Sequence, residues 1–422
     1  MRKISKSGPV NATLAAPPSK SLSVRALLLA AMTDGETTVE APLDADDTRY
    51  LLDALRKIGF EIRGSLRDSV TIGDRVSMTA GEVELFVGNA GTAMRFLTGW
   101  LAFTPGRFIL RGETRMHQRP IHDLVEALRM LGTEAEYVER EGFPPLRIRG
   151  RRMRGGFEAE VEGERSSQFV SAMMMAGATL PDGLAIRVAS LSSHPYVDLT
   201  AGILRDFSAR VEETAGGRFT IRGPLKRSEP YRVEGDWSSA SYWLAAAAAT
   251  RGRVTVTNLR PESAQGDRAI LSILARMGAQ VETAGDSATV EVKTALAGGS
   301  FDCNATPDLV PTLAALAPLA SSPVEITNIA TLRLKESDRI AALAQELRKL
   351  GATVDEREDA IRVENGWGHE QEVILDSHDD HRIAMAFAIT GLARGGVTID
   401  QPQVVGKSYP GFWKALGEIT GA

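Results

Sequence analysis

The sequence predicts an α/β protein built from six copies of one supersecondary unit. The first observation is that a short extended run, a polar cluster, an apolar helix of about ten residues and a further strand recur six times. The second is that glycine follows five of the helices, while Ser322-Pro323 takes its place after the fifth. The third is the length: 422 residues exceed what one hydrophobic core supports, which favours two domains of three units each.

The polar clusters stand at the expected amino ends of the six helices. They are Ser19-Lys20-Ser21, Asn89-Ala90-Gly91-Thr92, Arg165-Ser166-Ser167-Gln168, Asp236-Trp237-Ser238-Ser239, Asn304-Ala305-Thr306-Pro307-Asp308 and Asp379-Asp380-His381-Arg382. The helices are predicted at 22–32, 93–103, 169–180, 240–250, 309–320 and 383–393. Because a helix amino end has unpaired N–H groups and the positive end of the dipole, these clusters favour bound anions.

A weaker repeat, Leu-x-x-x-Gly followed by a strand, alternates with the first. It occurs at 55–59, 128–132, 274–278 and 347–351, with a serine variant at 204–208. Further strands are predicted at 69–72, 146–149, 219–222, 288–292 and 360–363. Each unit therefore reads strand, helix, strand, helix, strand, strand. Since only five second halves are complete, we expect the extended runs 2–5 and 10–14 to complete the sixth and to join both chain ends in one domain.

The composition indicates a globular protein without a nucleic-acid partner. Hydrophobic residues make up 43% and charged residues 24%, and the net charge of −5 argues against binding a polyanion through bulk electrostatics. The single cysteine, Cys303, excludes an intramolecular disulfide and is expected on a strand. We see no signal-peptide pattern after Met1 and no run of ~20 apolar residues. We therefore expect a cytoplasmic protein.

Three motifs admit more than one interpretation. The run Gly88-Asn89-Ala90-Gly91-Thr92 lacks the spacing of a dinucleotide fingerprint, and is either an ordinary turn or a site of close backbone approach to a ligand. Gly406-Lys407-Ser408 lacks the first glycine and the following helix of a nucleoside-triphosphate loop, which we reject. For His378-Asp379-Asp380-His381 we favour a capped helix, with Asp379 or Asp380 as N-cap, over a metal site.

Cations recur in equivalent turns of this acidic chain. They are Lys20, Arg25, Arg119, Lys335, Arg339, Arg382 and Lys407. Each alone fits a solvated surface charge, but together they suit a small polyanionic ligand held between two domains. Asp308 and Glu336 lie in the same class of turn. Carboxylates weaken anion binding there, and a role in proton transfer would explain their presence. They are therefore candidate catalytic groups.

Motifs found in order along nearly the whole chain resemble the 5-enolpyruvylshikimate-3-phosphate synthase family. They are Pro18-Ser19-Lys20-Ser21, Gly88-Asn89-Ala90-Gly91-Thr92-Ala93-Met94-Arg95, Gln118-Arg119-Pro120-Ile121, Ser166-Ser167-Gln168, Glu234-Gly235-Asp236, Lys335-Glu336-Ser337-Asp338-Arg339 and Asp380-His381-Arg382. The resemblance implies two similar domains, 19–233 and 1–18 with 234–422, each of three βαβαββ-type units with helices inside and sheets outside (an inside-out α/β barrel). It also implies transfer of the enolpyruvyl group of phosphoenolpyruvate to the 5-hydroxyl of shikimate 3-phosphate, on the route to chorismate and the aromatic amino acids.

The resemblance also implies roles for individual residues. Shikimate 3-phosphate would contact Lys20, Ser21, Arg25, Ser166, Ser167, Gln168, Ser193, Tyr196, Asp308 and Lys335. Phosphoenolpyruvate would contact Lys20, Asn89, Gly91, Arg119, Gln168, Arg339, Arg382 and Lys407. Asp308 would take the proton of the attacking hydroxyl, while Glu336 and Lys20 are candidates for proton transfer at the methylene carbon. A monomer with no metal, organic cofactor, nucleic acid or membrane partner is implied.

The chain departs from the family at Val24, Thr331 and Phe96, where Asn, Asn and Pro are usual, so the corresponding contacts and glyphosate sensitivity are not carried over. Two other functions stay open. The sister family that enolpyruvylates UDP-N-acetylglucosamine shares the architecture, but the stretch 112–120 lacks the loop cysteine of that family. A non-enzymatic ring-like scaffold would need a broad basic face without buried acids, contrary to Asp308 and Glu336.

Overall fold

The computed structural model describes residues 1–76, 81–214, 216–368 and 371–421. They form two compact units. We call Pro18–Val233 the continuous unit, and Met1–Pro17 together with Glu234–Ala422 the split unit. In the part of the chain that the structure describes, no helix combines the length and the apolar character that crossing a membrane requires.

The strands are short and lie throughout both units. In chain order they are β1 (Arg2–Ile4), β2 (Asn11–Ala15), β3 (Thr37–Glu40), β4 (Phe60–Gly64), β5 (Ser69–Arg75), β6 (Glu82–Phe86), β7 (Gly106–Arg111), β8 (Glu134–Tyr137), β9 (Leu146–Gly150), β10 (Phe157–Gly163), β11 (Leu184–Leu191), β12 (Arg210–Thr214), β13 (Arg218–Arg222), β14 (Tyr231–Arg232), β15 (Arg253–Thr257), β16 (Gln280–Ala284), β17 (Ser287–Glu291), β18 (Gly299–Asp302), β19 (Val324–Thr327), β20 (Val354–Glu356), β21 (Ile361–Val363), β22 (Val373–Leu375) and β23 (Val397–Ile399).

The helices alternate with these strands. They are α1 (Lys20–Met32), α2 (Asp46–Ile58), α3 (Gly91–Leu101), α4 (His122–Met130), α5 (Ser167–Gly177), α6 (Pro195–Asp206), α7 (Trp237–Thr250), α8 (Ile270–Arg276), α9 (Val310–Leu316), α10 (Arg339–Lys349), α11 (His381–Arg394) and α12 (Phe412–Thr420). Short 3₁₀ turns are Met116–Gln118, Gly266–Ala269, Pro307–Leu309, Ala317–Leu319, Ala330–Leu334 and Pro402–Lys407.

One pattern of strand pairing recurs in the mixed sheets of both units. In the sheet β6-β7-β9-β8, β7 pairs parallel with β6 and antiparallel with β9, and β9 pairs antiparallel with β8. Four further sheets share this pattern: β14-β3-β5-β4, β10-β11-β13-β12, β2-β15-β17-β16 and β18-β19-β21-β20. The predicted alternation of strands and helices is therefore confirmed, and the fold is a repeated α/β arrangement of mixed sheets.

Two strands pair with strands that are distant in the sequence and not with those of the repeat that follows them. β2 directly precedes α1, yet it pairs in parallel with β15, from Asn11 opposite Arg253 to Ala15 opposite Thr257. β14 directly precedes α7, yet it pairs in parallel with β3. β1 pairs with β23 in the sheet β1-β23-β22. The prediction that both amino-terminal runs complete the sixth repeat is thus correct for β1 and wrong for β2, because β2 supplies the parallel neighbour of β15 while β14 is paired with β3.

The helices that follow the polar clusters are buried almost all round. This holds for α1, α3 and α5 in the continuous unit and for α7, α9 and α11 in the split unit. Such burial is expected where apolar and small residues cover the whole helix surface instead of one stripe. The fifth predicted helix, 309–320, is wrong in its continuity. Pro311 is the second residue of the short α9, and Pro318 is the second residue of the 3₁₀ turn that follows it. The α-helix ends at Leu316, because proline lacks the N–H that an uninterrupted helix needs.

Cys303 lies one residue beyond the end of β18, which corrects the prediction that it is part of the strand. It is fully buried, and burial raises the pKa of its thiol to about 12. Since the thiolate is the reactive form of cysteine, this residue is a packing residue of the split unit.

Candidate active site

The first polar cluster forms the amino end of α1. Ser19 is the N-cap, and its Oγ accepts from the N–H of Leu22 at 3.5 Å. Lys20 is the first helical residue, and its Nζ lies 3.3 Å from Asp47 Oδ2 with both side chains largely buried. Because the helix dipole disfavours a cation there, Asp47 provides part of the compensation. The sequence reasoning missed Asp47, although the doublet Asp46-Asp47 in the first turn of α2 was a usable signal.

Arg25 lies one turn further along α1 and is buried between helices. Its Nε donates to Thr200 Oγ1 at 2.8 Å, and its Nη1 donates to the carbonyl of Ser21 at 3.0 Å. Its Nη2 donates to the carbonyl of Tyr196 at 3.2 Å, and the guanidinium carbon lies 5.0 Å from the centroid of the Phe96 ring. Burial lowers the pKa of Arg25 to about 10, so the side chain is still charged at neutral pH. The structure thus brings Ser21, Arg25 and Tyr196 together.

The glycine-rich turn before α3 lies against Arg119. Arg119 Nη1 donates to the backbone carbonyl of Asn89 at 3.1 Å and to its side-chain Oδ1 at 3.2 Å. A Cβ on Gly91 would come within 2.5 Å of Arg119 Nη2. Glycine therefore allows the guanidinium to lie against the amino end of the helix. The close approach seen here is that of an arginine side chain, and approach to a ligand stays a prediction.

The third cluster joins the amino ends of α5 and α3. Ser166 is the N-cap of α5, and its Oγ accepts from the N–H of Gln168 at 3.3 Å. Gln168 Nε2 donates to Thr92 Oγ1 at 3.2 Å, while Ser167 is buried beside it. Ser193 has a left-handed backbone (φ 54°) just before α6. These amino ends collect most of the predicted polar residues of the continuous unit.

In the split unit, one arginine holds three carboxylates. Arg339 Nη1 donates to Asp308 Oδ1 at 2.9 Å, and its Nη2 donates to Glu336 Oε2 at 2.9 Å. Its Nε donates to Asp380 Oδ2 at 2.7 Å. Burial alone would lower the pKa of Arg339, but the three carboxylates raise it above its usual value. Arg339 is therefore a permanent positive charge, and it determines where the two predicted catalytic acids lie.

Each of those two acids also contacts a second cation. Arg382 Nη2 donates to Asp308 Oδ2 at 2.7 Å, and Lys407 Nζ lies 3.2 Å from Glu336 Oε1. Lys335 lies half-buried beside Glu336 in the chain, after the 3₁₀ turn Ala330–Leu334. The structure therefore assembles Asp308, Glu336, Arg339, Arg382 and Lys407 in one network, although they come from four separate segments of the sequence.

The network has a sixth member, Asp380, which is the N-cap of α11. Its Oδ1 accepts from the N–H of Arg382 at 2.9 Å, and its Oδ2 accepts from Ser337 Oγ at 3.1 Å. The prediction of a capped helix is confirmed, with Asp380 rather than Asp379 as the cap. The metal interpretation is not supported, because His378 Nε2 lies 2.9 Å from Glu346 Oε1 while Asp380 faces arginine.

A further buried acid, Asp267, was missed by the sequence reasoning. It lies in the 3₁₀ turn Gly266–Ala269 and accepts a hydrogen bond from Ser238 Oγ in the first turn of α7. Burial and the charge of Asp308 raise the pKa of Asp267 to about 7, against the lowering effect of Arg382. Its neighbour Ser238 belongs to the fourth polar cluster, and that was the available signal.

Replacing Asp267 with asparagine is expected to stabilise the protein at high pH and not at low pH. The folded pKa is raised from 3.8 to about 7, so between these values the folded state binds more protons than the unfolded state. Wild-type stability therefore falls across this interval as pH rises, whereas asparagine mimics the protonated acid at every pH. Denaturant titration of both proteins between pH 4 and pH 8 measures the difference, and a difference that does not change with pH would contradict the assignment.

Buried cations with carboxylates between them, on repeated α/β units, are typical of an enzyme that acts on small anionic substrates. The family model for EPSP synthase (3-phosphoshikimate 1-carboxyvinyltransferase) matches residues 4–416. A 3-phosphoshikimate 1-carboxyvinyltransferase of Methanoculleus marisnigri is 42% identical over 417 residues, which cover 98% of each chain. One of Shewanella pealeana is 40% identical, with 97% of each chain covered.

Solved structures agree with these comparisons. An EPSP synthase from Acinetobacter baumannii has a TM-score of 0.79 at 26% identity, covering 99% of this chain and 97% of the other. The enolpyruvyl transferase NikO from Streptomyces tendae has a TM-score of 0.78 at 17% identity, covering 99% and 96%, and shows the shared fold. The chain belongs to the EPSP synthase family. The sequence-based prediction of this family, and with it of an enzyme of aromatic amino-acid biosynthesis, is confirmed.

Proposed function

We propose that this chain transfers the carboxyvinyl group of phosphoenolpyruvate to the 5-hydroxyl of shikimate 3-phosphate, with Asp308 as the base. The observation that carries the assignment of the base is the position of Asp308 between Arg339 and Arg382, at 2.9 and 2.7 Å. A carboxylate held by two cations at a helix start can accept a hydroxyl proton beside an anionic substrate. The cations keep the carboxylate in place while the substrate anion is bound nearby.

The reaction needs one proton removed at oxygen and one added at carbon. In the addition step, the 5-hydroxyl oxygen forms a bond to C2 of phosphoenolpyruvate, its proton passes to Asp308, and C3 receives a proton from Glu336 or Lys20. In the elimination step, C3 loses a proton, the double bond returns and phosphate leaves C2. Positive charge develops at C2 within each step, as C3 is protonated and again as phosphate leaves, so acid and base must act together. Lys407 and Arg339, which both contact Glu336, keep this carboxylate oriented.

The two substrates would take different cations. We assign phosphoenolpyruvate to Lys20, Asn89, Gly91, Arg119, Gln168, Arg339, Arg382 and Lys407. We assign shikimate 3-phosphate to Lys20, Ser21, Arg25, Ser166, Ser167, Gln168, Ser193, Tyr196, Asp308 and Lys335. Support for the second set comes from Arg25, whose hydrogen-bond acceptors among the described residues are a hydroxyl and two backbone carbonyls. Because these acceptors are neutral, the charge of Arg25 is available to a phosphate group.

The proposal includes the finer architecture expected from the family. It places three repeats around inward-facing helices in each of the domains 19–233 and 1–18 with 234–422, as an inside-out α/β barrel. Nearly complete burial of α1, α3, α5, α7, α9 and α11 supports it. The proposal also includes a cytoplasmic monomer that needs no metal or organic cofactor.

Release of phosphate from phosphoenolpyruvate tests the proposed function. The purified protein is incubated with phosphoenolpyruvate and either shikimate 3-phosphate, UDP-N-acetylglucosamine or no acceptor. We expect stoichiometric phosphate and a carboxyvinyl ether with shikimate 3-phosphate alone. Turnover with the nucleotide sugar would assign the chain to the sister activity, and no turnover with either acceptor would favour a binding scaffold.

Replacing Arg119 with lysine is expected to raise the KM for phosphoenolpyruvate about tenfold or more, with a much smaller change for shikimate 3-phosphate. A guanidinium makes two parallel hydrogen bonds to carboxylate or phosphate, whereas an ammonium is a compact point charge. Steady-state kinetics with each substrate varied in turn measures the effect. Arg115→Lys, in the same loop, is the matched control and should leave both KM values near wild type. Equal changes for both substrates would show that Arg119 is assigned to the wrong ligand.

A further inference from the structure

Helix α10 contacts the loop before α11 at two places, and the second of these contacts has no assigned role. At its amino end, Arg339 bonds Asp380. Near its carboxyl end, Glu346 bonds His378. Arg339 and Glu346 are seven residues apart, which places them about two turns apart on the same face of the helix. One helix therefore contacts both His378 and Asp380, which are two residues apart in the loop.

Glu346 is a fully buried carboxylate whose partners all lie in this region. Its Oε1 lies 2.9 Å from His378 Nε2, and its Oε2 accepts from the N–H of Asp376 at 2.9 Å. Lys349 Nζ, on the same helix, lies 2.8 Å from Oε2. Burying a carboxylate is costly unless it is paired and hydrogen-bonded, so this arrangement locates the loop strongly relative to α10.

The loop needs such support because its backbone is strained. His378 and Asp379 both have left-handed conformations, with φ of 52° and 53°. Residues other than glycine adopt this conformation uncommonly, and although Asp and His do so more often than most, two in succession require support from surrounding contacts. The next residue is Asp380, which positions Arg339, and two residues further is Arg382, which contacts Asp308.

We propose that Glu346 and His378 are positioning residues: their contact holds the left-handed loop so that Asp380 presents Arg339 and Arg382 in the geometry that binds phosphoenolpyruvate. This inference rests on the proposed function for the role of the two arginines. Neither Glu346 nor His378 touches substrate in this proposal. Their effect is transmitted through Asp380.

The charge on His378 controls the strength of the contact. The hydrogen bond that Glu346 accepts from the His378 ring raises the pKa of His378 above its ordinary value of 6.5, and Asp376 acts in the same direction while burial and Lys349 oppose it. Burial would raise the pKa of Glu346, but His378, Lys349 and the Asp376 N–H lower it overall. Because the pKa of His378 is raised in the folded state, its stabilising contribution is complete below 6.5 and is lost as pH rises through the raised value. Burial raises the pKa of the neighbouring Asp379, with Lys407 opposing the rise and Asp380 adding to it.

The kinetic test compares His378→Ala, His378→Gln and a matched control, Lys349→Gln. The control removes the other cation from Glu346 without touching the loop. For His378→Ala we expect the KM for phosphoenolpyruvate to rise about tenfold, since small misplacements of binding groups have effects of this size, while the KM for shikimate 3-phosphate changes less than about twofold. Glutamine, a neutral donor of similar reach, should recover most of the loss, and Lys349→Gln should leave both KM values near wild type.

The pH dependence separates positioning from a merely structural role. The ratio of wild-type to His378→Gln kcat/KM for phosphoenolpyruvate should be largest near pH 6, where His378 is charged, and should approach one near pH 9, where it is neutral. A ratio is used because ionisation of the substrates affects both enzymes equally. A ratio that does not vary with pH would overturn the proposal. So would equal rises in both KM values, or an effect of Lys349→Gln as large as that of His378→Ala.

A substrate-free measurement keeps the inference independent of the proposed activity. In NMR spectra of the ¹⁵N-labelled full chain, the Arg339 Nε–H resonance should shift with the same pKa as the His378 ring in wild type. In His378→Gln that titration should disappear, and in Lys349→Gln it should remain. An Arg339 Nε–H chemical shift that does not change as His378 is protonated would refute the positioning role of the contact. This outcome does not depend on which acceptor substrate the enzyme uses.

Discussion

Replacing Asp308 with asparagine is expected to lower kcat about 10²- to 10⁴-fold, the range that a general base typically contributes. Asparagine keeps the shape of the side chain and one oxygen for Arg339 or Arg382, but it cannot accept the hydroxyl proton. The affinity for shikimate 3-phosphate, measured by calorimetric titration, should stay within about tenfold because no cation is removed.

Asp302→Asn is the matched control for this substitution. Asp302 ends β18 six residues earlier and is exposed, with hydrogen bonds to the Asn304 N–H and to Asn328. We expect this variant to turn over at nearly the wild-type rate. Wild-type turnover by Asp308→Asn would remove Asp308 from the role of base, and a loss of turnover in both variants would point to damage at the end of β18.

Replacing Arg339 with methionine is expected to destabilise the split unit by about 3–5 kcal/mol, because it leaves buried carboxylates without their central cation. For a unit of this size, such a loss corresponds to a fall in Tm of roughly 6 to 20 °C. Arg339 is 1% exposed and contacts Asp308, Glu336 and Asp380, so water cannot easily replace it. Differential scanning calorimetry measures the change.

Arg348→Met on the same helix provides the comparison. Arg348 forms a half-exposed ion pair with Glu356 at 3.4 Å. Exposed pairs of this kind contribute about 0–1 kcal/mol, so the Tm should change little. Equal losses from the two substitutions would mean that the network around Arg339 contributes no more than a surface ion pair.

The repeat was predictable from the sequence because its signals are local. Apolar helices after polar clusters and glycine exits are determined by neighbouring residues, and α1, α3, α5, α7 and α11 begin two or three residues before the predicted starts. Two features depended on distant pairing or on proline chemistry. The partner of β2 is set by β15, far along the chain, and no local pattern in Asn11–Ala15 specifies it. The fifth helix is interrupted near Pro318, whereas its apolar pattern alone predicts a continuous helix.

The site was predictable to a different extent. Resemblance to the family predicts Asp308, Glu336 and the cations as site residues, but it does not supply the contacts between them. Asp47 and Glu346 lie outside the family motifs, and each contacts a residue distant in sequence, Lys20 and His378 respectively. The raised pKa of Asp267 could not be predicted without knowing its burial, because an acid of ordinary pKa and one with a pKa of about 7 look identical in the sequence.

The pairing of β2 with β15 affects the order in which the protein acquires its structure on the ribosome. Asn11 and Arg253 are 242 residues apart. At the usual rate of synthesis, the partner strand of β2 is therefore made roughly 10 to 50 s after β2. During that interval the continuous unit emerges whole, including β14 for β3, and can fold by itself. The split unit cannot, since β1 and β2 emerge before the continuous unit and their partners β23 and β15 emerge after it. Nascent chains should therefore carry a folded continuous unit that follows an unpaired amino-terminal segment. Strand β2 in that segment contains Asn11 and Thr13, and it is polar enough to remain hydrated until β15 is made.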